Sequence, residues 1–432
     1  MADGFDDEEM TPELRLQGAR DWAESVQARF AERYSGLLAR ETNAAPLHIR
    51  DDHLRKMRDA VEGAGGEMMG EFDAMLTRPA SAKVGEYDEP RTRELIQQIV
   101  DQVSETMALA ALEPGGRKLL VSSVPSGLVN AFCCANTWDD EYHHVFVDSE
   151  LFIFCASLAK IVATCFTRGV VKDGAIVFED RRIVSNAKAP DIARRIEDMF
   201  AAMVFLGTVR ASEPWIPEAG ALTLYIPLNV AMERFVIAHE LSHLMLGHLE
   251  TASESVGVRD DAFGDTEATI FSHEAEFEAD AAGAVLATET AVRLGYSNAL
   301  TSVAPYIFLK GIEVVDACQS LHKRETGGID STHPSSKDRL HSIRAVMDRH
   351  MSRKDPDGNL PIVLQRIDQL FYWIRQQAVA GIVKRSAIGM TPREREDLRL
   401  FERDNPPSIL GLRVDPGRIE AVGDEMSNRI SR

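Results

Sequence analysis

The chain has 432 residues, enough for two or three compact units around a large buried core. Its 48 basic and 68 acidic residues give a formal charge of −20, which repels nucleic acid and anionic lipid and argues against both as general partners. Five cysteines (Cys133, Cys134, Cys155, Cys165 and Cys318) form no C-x-x-C pair and leave one over, so neither a disulfide framework nor a thiolate zinc site is indicated, and a reducing compartment fits.

The start, MADGFDDEEM, is acidic where a secretory signal is basic and then apolar, which points to a cytoplasmic protein. Residues 12–112 carry a mostly helical pattern, interrupted most clearly at residues 63–66 (GAGG). After Pro114 and two glycines the texture becomes strand-like over residues 118–124, 128–133 and 144–147, followed by an apolar helix over 149–166. The longest apolar run, 151–166, is short for a membrane span and contains Lys160. Residues 170–178 read as a hairpin around Asp173 and Gly174, 190–206 as a helix, and 221–226 as a strand ahead of the helix that bears the main motif. Residues 251–266 read as a surface loop, with a helix beginning near Ser272. Helices are expected over 304–323, 337–351 and 360–384, with a turn at 354–359 and a less regular final stretch of about forty residues. The expected class is α+β, mainly helical, divided into a helical region 1–115, a central domain 116–352 and a helical region 353–432. No internal repeat and no P-loop is present.

The stretch FVIAHELSHLMLGH, residues 235–248, carries the chemistry. On a helix, residues four apart lie about 40° apart around the axis and about 6 Å along it, so His239 and His243 can offer imidazole nitrogens to one zinc ion. Glu240 then stands beside the ion as a general base and acid. The surrounding residues are apolar nearly all round, so the helix is buried and its polar groups need partners. His248 comes nine residues after His239, a rotation of about 900° that would put it on the far side if the helix continued. The helix is expected to end at Gly247, which leaves the direction of His248 open. The metzincin pattern needs glycine and histidine where Leu246 and Leu249 stand. His248 therefore reads as a C-terminal histidine near the negative end of the helix dipole.

A third ligand is sought downstream in SHEAEFEADAAGAVLA, residues 272–287. Glu276 and Asp280 share a face that continues through Gly283 and Ala287, small residues that permit close helix approach. Glu276 can complete a His-His-Glu set, and Asp280 can accept from the second nitrogen of a ligating histidine. His273 shares that face and is the alternative ligand. Glu274 and Glu278 lie about 200° away and read as a solvated acidic face.

These residues resemble the gluzincin metallopeptidases, in which HExxH is followed by E-x-x-x-D. Glu276 to Asp280 (EFEAD) is similar to the E-x-x-A-D of the family of CAAX prenyl endopeptidases and HtpX-like heat-shock proteases. NAF at 130–132 followed by VFVDSEL at 145–151, and THPSSKDRL at 332–340, are similar to further elements of that family in the same order. The resemblance spans residues 118–349, about half the chain. It implies a zincin-like core, a zinc cofactor and peptide-bond hydrolysis, with His333 capping the metal or stabilising the oxyanion and Arg339 anchoring its loop or binding charge nearby. The membrane helices of the best-known members are absent, and the short gap between His243 and Glu276 is similar to the soluble Lit-type phage-exclusion peptidases. The expectation is a soluble zinc endopeptidase acting on protein or peptide substrates, with a segment of substrate lying along an edge strand from 128–147 or 221–226. The alternative is a binding or regulatory module with a closed four-ligand zinc, His333, His273 or His248 in the fourth place.

Overall fold

The computed structural model describes residues 11–41, 87–88, 90–112, 116–124, 129–135, 141–167, 171–172, 175–176, 180–251, 271–322, 334–352 and 360–386. The expected interruption at 63–66, the tip of the hairpin at 173–174, the loop 252–266, His333, the turn 354–359 and the final stretch lie outside the described residues.

The fold is α+β and mainly helical. Helix α1 (Pro12–Glu41) and α2 (Pro90–Leu109) precede strands β1 (Lys118–Val124), β2 (Ala131–Ala135) and β3 (Tyr142–Asp148). Then come α3 (Ser149–Thr167), the two-residue strands β4 (Val171–Lys172) and β5 (Ala175–Ile176), α4 (Asp180–Ala187) and α5 (Pro190–Leu206). The motif helix α6 (Ala219–Met245), a single turn α7 (His248–Thr251) and helices α8 (His273–Arg293), α9 (Asn298–His322), α10 (Ser336–Ser352) and α11 (Leu360–Ser386) complete the order.

The main sheet has the order β1-β3-β2, with β1 parallel and β2 antiparallel to β3. Alternation sends its two faces to different helices. Ala131, Cys133, Val145 and Val147 join the main core, whereas Phe132, Cys134 and Phe146 pack with Trp22, Val26 and Phe30 of α1. At the exit from β3 the Asp148 carboxylate accepts from the Glu150 backbone amide at 2.7 Å, capping α3. The Glu150 side chain in turn accepts from the Val209 amide at 2.8 Å and pairs with Arg210, tying α3 to the turn after α5.

Helix α6 is the axis of the core, packing most extensively against α8 and then against α3 and α9. Side chains of α2 and α11 belong to the same buried cluster. Residues 221–226 form the first turns of α6 and not a strand. Their burial, with Ala221, Leu222, Leu224 and Tyr225 inside and Thr223 exposed, follows helical spacing. A short apolar run cannot be assigned by periodicity when both faces are covered, and Pro227, which reads as a boundary, lies inside the helix.

Two helices are long and apolar enough to cross a membrane by length and composition, over Glu150–Thr167 and Gly220–Met245. The first exceeds the run read from sequence. Most of each window is buried inside the fold, 67% and 78%. Lys160 within the first donates to the Trp215 carbonyl at 3.1 Å, while burial and then Arg195 lower its pKa to about 8.

Glu233 of α6 is a buried acid with a measurable consequence. Asn229 Nδ2 donates to its Oε1 at 2.8 Å. Burial pushes its carboxyl up to about 7, against the opposing pull of Arg234 and the Asn229 bond. Its folded pKa lies above the unfolded one, so its contribution to stability is full below about pH 4.5 and is lost as the pH rises through about 7. Such a shift is worth about 3 kcal/mol. Glu233→Gln is therefore expected to be more stable than wild type at pH 8 by up to that amount, with the gain vanishing near pH 4.5. Urea unfolding at both pH values checks this, and no gain at pH 8 would mean that the carboxylate is not held against its charge.

Candidate metal centre

His239 and His243 lie one turn apart on α6, and Glu276 comes from the first turn of α8, whose start is capped by the Ser272 hydroxyl accepting from the Ala275 amide at 3.2 Å. The two Nε2 atoms stand 3.2 Å apart. Glu276 Oε2 is 3.6 Å from His239 Nε2, and Glu276 Oε1 is 3.6 Å from His243 Nε2. A tetrahedral ion with ligand bonds of about 2.0–2.2 Å has ligand–ligand edges of about 3.3–3.6 Å. The two distances to Glu276 end on different oxygens, and one ligand atom from each of the three residues lies within 4.8 Å of the other two, so the group converges on a space that one ion could occupy. Among the described residues, these three form the group of histidine and acidic side chains able to hold a metal. His273, the alternative ligand, is exposed at the start of α8.

The close approach of α8 to α6 sets this convergence. A Cβ on Gly283 would lie 2.8 Å from the His239 backbone nitrogen and 2.9 Å from its Cα. Glycine allows the two helix backbones to touch there, which brings Glu276, two turns earlier on the same stripe, opposite the histidines.

Asp280 lies beside His239, with Oδ1 3.0 Å from Nδ1, somewhat off the ideal donor direction. Arg339 of α10 grips Asp280 with two hydrogen bonds, Nε to Oδ2 at 2.8 Å and Nη2 to Oδ1 at 2.7 Å. Burial opposes the charge of every member of this set. In Asp280 it is outweighed by Arg339 and His239, and the carboxyl is held below its ordinary value. In Arg339 it is outweighed by Asp280, with Glu276 and Glu240 adding to the effect, and the guanidinium pKa is raised. In His239 it is outweighed by Asp280 and Glu276, and the imidazole pKa is raised.

Glu240 is buried on α6 next to β2. The Cys133 thiol is pushed well up by burial and then by the neighbouring Glu240 carboxylate. The thiol is thus kept as S–H. Strand β2 is an outer strand of the described sheet, and its Cys133 side chain neighbours Glu240 from the face turned to the main core.

Three further neighbours surround the group; of these, Phe271 and Glu278 do not read as site residues in the sequence, and His248 reads there as the C-terminal histidine of the helix, with a fourth-ligand role in the alternative. Phe271 stacks on the His243 ring, with centroids 3.8 Å apart and planes at 14°. His248 does not sit beyond a continuing helix. Helix α6 stops at Met245, Gly247 takes a left-handed conformation with φ 71, and the chain turns His248 back so that its Nδ1 is 2.9 Å from His243 Nδ1. Glu278, expected to face solvent, is only 5% exposed and lies 3.2 Å from His248 Nε2. The reason is that α8 is covered all round, with every residue from Glu276 to Ala291 buried, so its second acidic face meets α7 and not water. Glu274 is exposed as expected. The end of the helix near Gly247 is expected from the sequence, and the structure adds the direction in which the chain leaves it.

No family model matches the chain, and no curated protein or solved structure matches it significantly.

Proposed function

We propose that the chain is a zinc-dependent endopeptidase with a gluzincin-like arrangement, resembling the CAAX prenyl endopeptidase and HtpX-like family and acting in the cytoplasm on selected proteins. The observation that carries this reading is the convergence of His239 Nε2 and His243 Nε2, 3.2 Å apart, on the Glu276 carboxylate, whose Oε2 and Oε1 lie 3.6 Å from the first and the second nitrogen respectively, with Glu240 the next residue after His239. Two neutral imidazoles and a carboxylate are a donor set suited to zinc, and three protein ligands leave a position for substrate chemistry. When bound, zinc supplies Lewis acidity to a scissile carbonyl and a water.

Glu240 would accept a proton from the attacking water and return it to the leaving amine. Asp280, charged by its pairing with Arg339, would hold His239 on the tautomer that leaves Nε2 as a lone-pair donor. An extended peptide would add to the outer edge of β2, the strand whose Cys133 side chain neighbours Glu240. His239, Glu240, His243 and Glu276 are 6%, 5%, 1% and 1% exposed. Such depth supports selectivity for one or a few substrates over broad digestion.

The purified protein is expected to hold about one zinc per chain. Glu276→Ala should remove most of it, and Asp280→Asn should weaken binding by roughly ten- to a hundredfold. Metal analysis with a competing chelator measures both; full zinc occupancy in Glu276→Ala would sink the ligand assignment. Function itself is tested by incubating a cell lysate with zinc-loaded and chelator-stripped protein and comparing new peptide termini. A few discrete cleavages that depend on zinc are expected, and an identical set of termini in both samples would overturn the reading.

A further inference from the structure

Each histidine of the metal group has a second ring nitrogen, and the two are served differently. His239 meets a carboxylate directly, 3.0 Å from Asp280. His243 instead meets another imidazole, and that imidazole meets a carboxylate. We propose that His248 and Glu278 form a relay that positions His243 for the metal, which rests on the metal reading above.

The proton count determines the direction of the relay. A His243 ring that turns the Nε2 lone pair toward an ion must carry its proton on Nδ1. That N–H then donates to His248 Nδ1 across 2.9 Å, so His248 is the acceptor there and carries its own proton on Nε2. The Nε2–H faces Glu278 Oε2 at 3.2 Å. Every link therefore has one donor and one acceptor, and the chain ends on a carboxylate. The reverse assignment would place the His243 proton on Nε2, where it would point at the metal group.

The surroundings hold these rings in place. Phe271 stacks on His243 from one side, and its ring centroid lies 6.2 Å from that of His248. His248 is 6% exposed and Glu278 5% exposed, so water does not readily replace either link. The pair comes from separate elements: His248 from α7 after the reversal at Gly247, Glu278 from α8 two residues past the ligand Glu276. This links the ligand on α6 to the same helix that supplies the third ligand.

The test compares His248→Phe, which keeps a planar ring without nitrogens, with His248→Asn, whose amide oxygen can accept from His243 and whose amide nitrogen can donate. Zinc affinity by chelator competition, the visible spectrum of the cobalt-substituted protein and the thermal midpoint of the metal-free protein are measured for each. His248→Phe is expected to bind zinc about ten- to a hundredfold more weakly with a shifted cobalt spectrum. His248→Asn should recover most of the affinity, and both metal-free proteins should melt near the wild-type temperature. Adding Glu278→Gln to His248→Phe should weaken zinc binding no further, because the relay is already broken. Wild-type affinity and spectrum in His248→Phe, with zinc lost in His243→Ala, would overturn the relay while leaving the metal site intact. Complete loss of zinc in both His248 variants would overturn it by making His248 a ligand. Absence of zinc from wild type would overturn the relay together with the reading on which it rests.

Discussion

Glu240→Gln is expected to retain zinc at the wild-type stoichiometry and to lose hydrolysis by roughly a hundred- to ten-thousandfold, the usual contribution of a positioned general base. The residue lies one position after His239, so it flanks the metal group without being a member of it. Its carboxylate instead neighbours the Cys133 thiol on β2. Glutamine keeps the volume and one acceptor oxygen but cannot take a proton, so folding and metal binding should be unaffected. The measurements are zinc content and the rate of the discrete cleavages found in lysate. Loss of zinc from Glu240→Gln would make the residue a ligand, and wild-type cleavage rates would remove it from the chemistry.

Gly283→Ala is the second large effect, and it involves no reactive group. The added methyl would meet the backbone of His239 and Ala238 at 2.8–3.2 Å, and backbone inside a buried helix cannot move aside as a side-chain end can. Helix α8 must then retreat from α6, which costs about 1–3 kcal/mol or more. The same retreat draws Glu276 and Asp280 away from the histidines they face, so zinc affinity should fall along with stability. Urea unfolding of the metal-free protein and chelator competition measure the two losses separately. Unchanged values in both would show that the helices do not need this contact, and would remove with it the account of how the metal group is built.

Much of the metal group was legible because its members lie close together in sequence on regular helices. His239, Glu240 and His243 have their relative positions set by helical geometry alone, and the Glu276–Asp280 stripe with Gly283 follows from the same spacing. Strand β1, helix α5 and the start of α8 were legible for a related reason, since local pattern, a proline at the first helical position and a serine cap act over a few residues. Local pattern misled where burial removed it. Residues 221–226 are a short, nearly unbroken apolar run that reads as a strand, yet they are covered on most sides and form the first turns of α6. Arg339 was reached only through a resemblance; its double hydrogen bond to Asp280 joins residues 59 positions apart.

By itself the sequence determined which residues share a helix face, and therefore that two histidines and a downstream acid could converge on one ion. Only the tertiary structure decided which acids serve. Glu276, Glu278 and Asp280 are equivalent in residue type, but the rotation of α8 against α6, set by backbone contact at Gly283, turns Glu276 to both histidines, Asp280 to the outer nitrogen of His239, and Glu278 to His248. His248 reaches His243 only because the chain reverses at Gly247. Helical spacing is fixed by the covalent chain, whereas the rotation of one helix against another and the path after a turn depend on contacts between segments far apart in sequence.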